Sequence, residues 1–434
     1  MNLSKISFIA MALLVVVSFV MPSNINATSQ WARKTGLSCN SCHTVFPRLN
    51  SFGEEYLKNG YQLMTTYKKD YKEAYPIEAG GVLLDEVSNI FGFRLNMTPI
   101  ALETKSFQED FGKEKTTKLT LGSAVWLQAF VAGSIYKDIS FFSELEYAKS
   151  SFKFNWFYFN FTNLLNTQLL NFQVGNISPL EFASYPNRLP QLPNLKGEIF
   201  LLKSSAGKGE TSMDMSSARP GVQYYGTQDW ATVYLGVSPG TSAASVNQFL
   251  NYWGGLVLKL PENVLQGFDG STATIHYYNG TDTKYTGAEK DATGKELPAD
   301  QQKAQIENSF TRISPQINIR YKDMIDVQAA YVAGSDDNYG LSTTAKEFKY
   351  SGFALEAGYM PSEIWHLAVH YDKYTSEDEV NGIPVLNYQR VVPSATYVVN
   401  QNIRFTVYYE KDITPDKNED LKVDKTYLNI RVMF

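Results

Sequence analysis

Cysteine and histidine are scarce in this chain: two and four, respectively, in 434 residues. A disulfide framework needs more of the first. A zinc-finger array or a wire of many haems needs more of both. Positive charge is not in excess either. Lys and Arg number 39 against 44 Asp and Glu, for a formal net charge of −5 and a pI near 5.6. Nothing electrostatic therefore points to nucleic acid as a partner. Beyond the first 21 residues no stretch approaches the roughly 18 consecutive apolar residues of a helical membrane span, which excludes a helix-bundle membrane protein. Aromatic residues, by contrast, are dense: 26 Phe, 28 Tyr and 6 Trp. That balance points to a Tyr-rich, β-rich exported protein.

The first segment reads as an address. Lys5 supplies a small positive region, and the run from Ile6 to Met21 is almost wholly apolar. Pro22, Ser23 and Asn24 break it, and Ala27 ends a small-residue stretch. This is the pattern of a secretory signal peptide over residues 1–27. As an anchor the run falls short of the roughly 20 residues that a span needs. A chain that leaves the cytoplasm without helical spans can enter a membrane only as a closed barrel.

Both cysteines fall in Cys39-Asn40-Ser41-Cys42-His43, which matches C-x-x-C-H, the attachment pattern of c-type haem. The spacing lets two thiols add to the two vinyl groups of one porphyrin, while the adjacent histidine becomes the proximal iron ligand. The competing reading is an exported disulfide or redox pair, which normally accompanies a βαβ pattern not seen here. Leu49, Phe52, Tyr56 and Leu57 recur at helical spacing, Pro47 suits a first helical turn, and Gly60 suits the stop. Residues 28–85 thus read as a small α-helical monohaem cytochrome c-like module. Met64, beyond the Gly60-Tyr61 stop, is the local candidate for the distal iron ligand; the bland alternative is ordinary packing.

From about residue 88 the pattern has period two. Trp365, Leu367, Val369 and Tyr371 share one face, opposite His366, Ala368 and His370. Ile403, Phe405, Val407 and Tyr409 form another apolar face, and Ile313, Pro315, Ile317, Ile319 and Tyr321 a third. Short connections such as 136–138, 321–325 and 400–402 alternate with long polar ones such as 104–118, 178–220, 279–309, 334–346, 374–386 and 411–423. Segments of about ten alternating residues, short turns on one side, long loops on the other and aromatic girdles are the signature of a transmembrane antiparallel β-barrel. Residues 86–434 accommodate about sixteen strands. Leu428, Ile430, Val432 and Phe434 alternate in the last strand, which resembles the signal by which the barrel assembly machinery recognises its clients. One haem facing a hydrocarbon core about 30 Å thick is best placed within the barrel, so the module is expected to plug the lumen.

The N-terminal residues also resemble a known family. Trp31-Ala32-Arg33-Lys34-Thr35-Gly36, the C-x-x-C-H motif, Pro47, Leu49, Phe52-Gly53 and Gly60-Tyr61 resemble the outer-membrane porin–cytochrome c fusions, among them the monohaem iron-oxidising outer-membrane cytochromes. The match covers only about residues 31–64, and Glu54-Glu55 departs from the more basic stretch expected there. The resemblance implies covalent haem on Cys39 and Cys42, iron ligation by His43, and an iron:cytochrome c oxidoreductase type of activity. Extracellular Fe(II) would be the donor, a periplasmic c-type cytochrome or other carrier the acceptor, and the lipid of the outer membrane the setting. Two other readings stay open: a redox conduit for another donor or direction, such as outward metal reduction or sulfur compounds, and a solute porin with a structural haem plug. Acidic residues of the expected outer loops (Glu109, Asp110, Asp336, Asp337, Glu377 to Glu379, Asp416, Glu419, Asp420) read as solvated loop charge; the competing reading is a cluster that attracts a ferrous ion. His276, His366 and His370 read as lumen-lining residues.

Overall fold

Alternation along the strands decides the architecture. An extended segment with apolar residues on one side and polar residues on the other must give each side its own solvent. Here the apolar side faces outward. The structure, a computed structural model, describes residues 29–64, 77–79, 82–106, 115–148, 151–186, 188–192, 195–203, 214–240, 250–261, 264–285, 293, 295, 305–341, 346–376, 387–415 and 422–433. The segment read as a signal peptide lies outside the described residues. So do Phe434 and all the acidic loop residues named above except Asp336 and Asp337.

The N-terminal part holds α1 (Gln30–Thr35), α2 (Cys39–Cys42), β1 (His43–Val45), β2 (Arg48–Leu49) and α3 (Ser51–Lys58). The short ribbon of β3 (Ile77–Ala79) and β4 (Val82–Leu84) and the single-turn α4 (Val87–Ile90) follow. Sixteen strands then close into one antiparallel barrel. They are β5 (Phe91–Ser106), β6 (Lys115–Tyr136), β7 (Ile139–Ala148), β8 (Ser151–Phe161), β9 (Asn171–Ile177), β10 (Arg219–Gln228), β11 (Ala231–Ser238) and β12 (Asn251–Lys259). The circuit continues with β13 (Thr272–Tyr285), β14 (Gln305–Tyr321), β15 (Ile325–Asp336), β16 (Phe348–Ser362), β17 (Trp365–Ser376), β18 (Asn387–Asn400), β19 (Ile403–Asp412) and β20 (Asp424–Met433). The last strand pairs with the first, Met433 opposite Arg94 and Val432 opposite Leu95. No edge is left unpaired, which is the condition for strands in hydrocarbon.

The expected faces are observed. On β17, His366, Ala368, His370 and Asp372 are buried toward the lumen, while Trp365 and Leu367 are exposed outside. On β14, Ser314, Gln316, Asn318 and Arg320 point in and Ile313, Ile317 and Ile319 point out. Leu121, Phe152, Phe154 and Leu235 add to the same outer belt, each more than half exposed. This apolar outside and polar inside, on a closed cylinder, is the arrangement of an outer-membrane β-barrel.

Two expectations need correction. The connection from residue 178 to 218 is not an outer polar loop. Its described residues fold back into the lumen, where Leu180, Phe182, Tyr185, Leu192, Leu195, Ile199, Phe200 and Met215 are buried. The Ser184 and Tyr185 amides donate to Thr274 Oγ1 (3.0 Å) and Gln316 Oε1 (2.8 Å) on the wall. Its apolar content explains the inward turn, because these side chains find no burial in water. Likewise Asp336 is not a loop residue: it ends β15, is fully buried, and accepts from Asn308 (2.8 Å). The aromatic wealth is also placed differently from girdles alone. Phe142, Tyr158, Tyr225, Tyr234, Tyr278, Phe310 and Tyr350 are all buried inside the cylinder.

Candidate functional site

The N-terminal segment lies in the lumen and is held by ions and hydrogen bonds to the wall. Arg48 pairs with Asp326 (2.9 Å) on β15, and Arg320 on β14 with Glu54 (2.6 Å). Lys259 on β12 reaches Glu55 (3.0 Å), and Lys34 reaches Asp85 (3.2 Å). The Tyr225 hydroxyl donates to the Lys58 carbonyl (2.6 Å), and the Tyr61 and Tyr158 hydroxyls share a hydrogen bond (2.8 Å). Burial opposes the charge on Glu54, but the Arg320 and Arg48 guanidiniums hold its carboxyl down to about 2.

Local sequence explains the shape of the segment. Asn50 caps α3, its side-chain oxygen accepting from the Gly53 amide (3.0 Å). Pro47 is therefore not the first turn of that helix; it lies in the turn between β1 and β2, and the helix opens at Ser51. Gly53 is required by close approach, since a Cβ there would stand 2.1 Å from the Cys42 carbonyl oxygen. Gly60 takes the left-handed conformation (φ 66°) that ends the helical stretch.

The motif residues converge. Cys39, Cys42 and His43 line one apolar cavity, together with Trp31, Phe46, Leu49, Phe52, Tyr56 and Leu57 from the same segment. The opposite wall is built by Arg94, Phe130, Phe142, Glu144 and Met433 of β5, β6, β7 and β20, and by Arg188 and Leu189 of the infolded stretch. Trp31 stacks on Tyr61 (5.0 Å between ring centres), Tyr61 on Phe142 (5.6 Å) and Phe142 on Tyr158 (5.3 Å). Arg188 lies over Phe142 (4.7 Å), and its Nη2 donates to Glu181 (2.9 Å).

His43 is oriented by its own backbone. Its Nδ1 stands 3.1 Å from the Pro47 carbonyl oxygen. A carbonyl only accepts, so Nδ1 carries the proton and Nε2 keeps its lone pair. Desolvation, helped by the positive Arg404 and Arg94, pushes the ring down to about 4, so it is neutral at physiological pH. Burial and the neighbouring Cys39 push the Cys42 thiol up to about 12. The two thiols are not joined.

These features test whether a c-type haem fits. Two thiols and a neutral imidazole with a free lone pair border a large apolar cavity. Buried donors without partners lie at its rim: Nε and Nη1 of Arg188, and Nε1 of Trp31. They suit the two propionate carboxylates that a porphyrin carries. The donor set and the cavity therefore fit the group. Met64 is not brought to this cavity. It lines a separate polar pocket with Glu55, Lys58, Asn59 and Asn163, and Met97 alternates outward on β5. The other histidines stay apart as well. His276 bonds the Tyr234 hydroxyl (2.8 Å), His366 meets Gln191 (3.1 Å), and His370 lies between Glu356 and Asp372 (3.3 and 2.6 Å). Among the described residues no group of three or more His, Cys, Asp or Glu forms a metal site.

The architecture has relatives among solved structures. Its sixteen-strand barrel resembles those of outer-membrane porins. OmpF of Salmonella typhi, in complex with daunomycin, matches with a TM-score of 0.52 at 14% identity, over 82% of this chain and 99% of that one. The outer-membrane channel DcaP of Acinetobacter baumannii matches with 0.51 at 11% identity, over 79% and 96%. An anion-selective porin from Comamonas acidovorans matches with 0.51 at 10% identity, over 79% and 98%. At such identities the likeness is one of fold. No protein-family model and no curated protein matches the chain. Sequence reasoning named Cys39, Cys42 and His43, which the structure places on one cavity. It missed Arg94, Phe142, Arg188 and Met433, whose only signal was their place on inward strand faces or in a stretch read as loop.

Proposed function

We propose that this protein is a single-haem electron conduit of the outer membrane, oxidising extracellular Fe(II) and handing the electron inward to a soluble periplasmic c-type cytochrome or another carrier. One observation carries the reading: both cysteines and the histidine of C-x-x-C-H line one apolar cavity inside the barrel, with His43 Nδ1 tied to Pro47 so that Nε2 is available. A c-type haem supplies a one-electron iron couple there. Cys39 and Cys42 would tether it and His43 would ligate its iron. Arg188 and Trp31 offer donors to its carboxylates, and the Trp31, Tyr61 and Phe142 rings exclude water. The donor has an approach. A second space, lined by polar and apolar surface alike, shares Arg94, Glu144, Arg188 and Leu189 with the cavity and extends to Glu146 and Lys153. Those two residues lie near the ends of β7 and β8 opposite the short-turn side, the side that faces outward in such barrels. Fe(II) as the donor rests on the family resemblance of residues 31–64; outward metal reduction or a sulfur-compound donor would use the same residues.

The test is expression in a host that matures c-type haem, followed by stopped-flow mixing of the oxidised protein with Fe(II) and the reduced protein with Fe(III). Covalent haem that Fe(II) reduces supports the reading, and covalent haem that stays oxidised removes Fe(II) as donor. The second reading, a solute porin with a structural plug, is favoured by the porin-type fold and the second space. Large single-channel steps in planar bilayers would select it.

A further inference from the structure

The barrel wall itself completes the cavity with a soft ligand. We infer that Met433, on the last strand, is the distal ligand of the haem iron; this rests on the haem reading above. Met433 belongs to the inward-facing series Asn429, Arg431 and Met433 of β20, and its side chain is buried (5% exposed) in the cavity that holds His43. Among the residues lining that cavity it is the one methionine. The competing oxygen donors are engaged: the Tyr61 hydroxyl with Tyr158 (2.8 Å), and Glu144 with Gln128 (2.5 Å). Thioether sulfur is a soft ligand that suits haem iron opposite imidazole.

The backbone places the two sides of the site together. The turn at Gln401 and Asn402, between β18 and β19, bonds both. Gln401 Oε1 accepts from the Cys39 amide (3.2 Å). Asn402 brackets Met433, its carbonyl accepting the Met433 amide (2.8 Å) and its side chain donating to the Met433 carbonyl (2.7 Å). One turn thus fixes the start of the haem-binding motif and the strand that carries the thioether. Met64 lines a separate pocket.

The experiment is ferric and ferrous spectroscopy with potentiometry on the full-length haem protein. Met433→Leu conserves volume and should abolish the long-wavelength charge-transfer band of a thioether-ligated ferric haem. It should also lower the midpoint potential, since loss of Met/His ligation removes the effect that raises it. Met433→His should give a bis-imidazole low-spin spectrum, and Met64→Leu should leave every signal unchanged. A wild-type protein without the thioether band, or a Met433→Leu spectrum identical to wild type, overturns the assignment while leaving covalent haem intact. Protein that carries no covalent porphyrin after maturation overturns the haem reading itself, and this assignment with it.

Discussion

Arg48 is the place to test how the N-terminal segment is held. Its guanidinium is about 1% exposed and reaches Asp326 (2.9 Å), Asn318 (3.1 Å) and Glu54 (3.3 Å). Arg48→Met leaves the Asp326 carboxylate buried and short of a counter-charge. Removing one partner of a buried pair costs about 3–5 kcal/mol. Here Asp326 keeps a hydrogen bond from Asn318 (2.5 Å) and a more distant Arg320 (4.0 Å), so the low end applies. About 3 kcal/mol corresponds to more than a hundredfold rise in the population with the segment released, at tenfold per 1.4 kcal/mol. Amide hydrogen exchange over residues 29–64 in detergent reads that population directly. Exchange there should accelerate while barrel strands remote from Asp326 keep their protection. Adding Asp326→Leu should restore most of the protection, because an apolar pair of similar volume often replaces a buried ion pair at little cost. Unchanged exchange in Arg48→Met would refute the view that this ion cluster anchors the segment.

Three further outcomes follow from the same geometry. Glu54 has its carboxyl held at about 2 against an ordinary 4.5, so it stabilises docking above about pH 4.5 and loses that contribution as pH falls toward 2; Glu54→Gln should flatten this acid dependence in a segment-release titration. Phe142→Ala removes the ring shared by Trp31, Tyr61, Tyr158 and Arg188 and should destabilise docking by about 3–5 kcal/mol, seen as a lower thermal midpoint of the segment. Replacing the infolded 179–217 stretch with a short turn should raise single-channel conductance in planar bilayers from a low basal value; no change would mean that this stretch does not obstruct the lumen.

Sequence reading succeeded where one physical rule acts alone. On β17 the period-two pattern of Trp365 to Asp372 gives the lipid and lumen faces without knowledge of any neighbour. The C-x-x-C-H spacing is local too, and its three residues do meet at one cavity. It fell short where distant parts meet. Met433 and Cys39 line one cavity only because β20 closes on β5 and the 401–402 turn bonds both, and no local spacing encodes that. Met64, near in sequence, was the natural candidate for the same reason that it was misplaced: helix α3 and the stop at Gly60 carry it to another face of the segment. The 178–220 stretch was read as a long polar connection because it fitted the alternation of short and long links. Its Leu180, Phe182, Leu192, Ile199 and Phe200 were the signal that it turns inward.

The seam of the cylinder has a consequence for biogenesis. The junction of β20 with β5, which seals the barrel, forms part of the cavity wall through Met433 and Arg94. The segment bearing Cys39, Cys42 and His43 precedes β5 in the chain, so one side of the cavity is synthesised first and the Met433 side last. The cavity is therefore complete only when the barrel is, and a defect in closing the seam would be felt at Cys39 and His43 as well as in the wall.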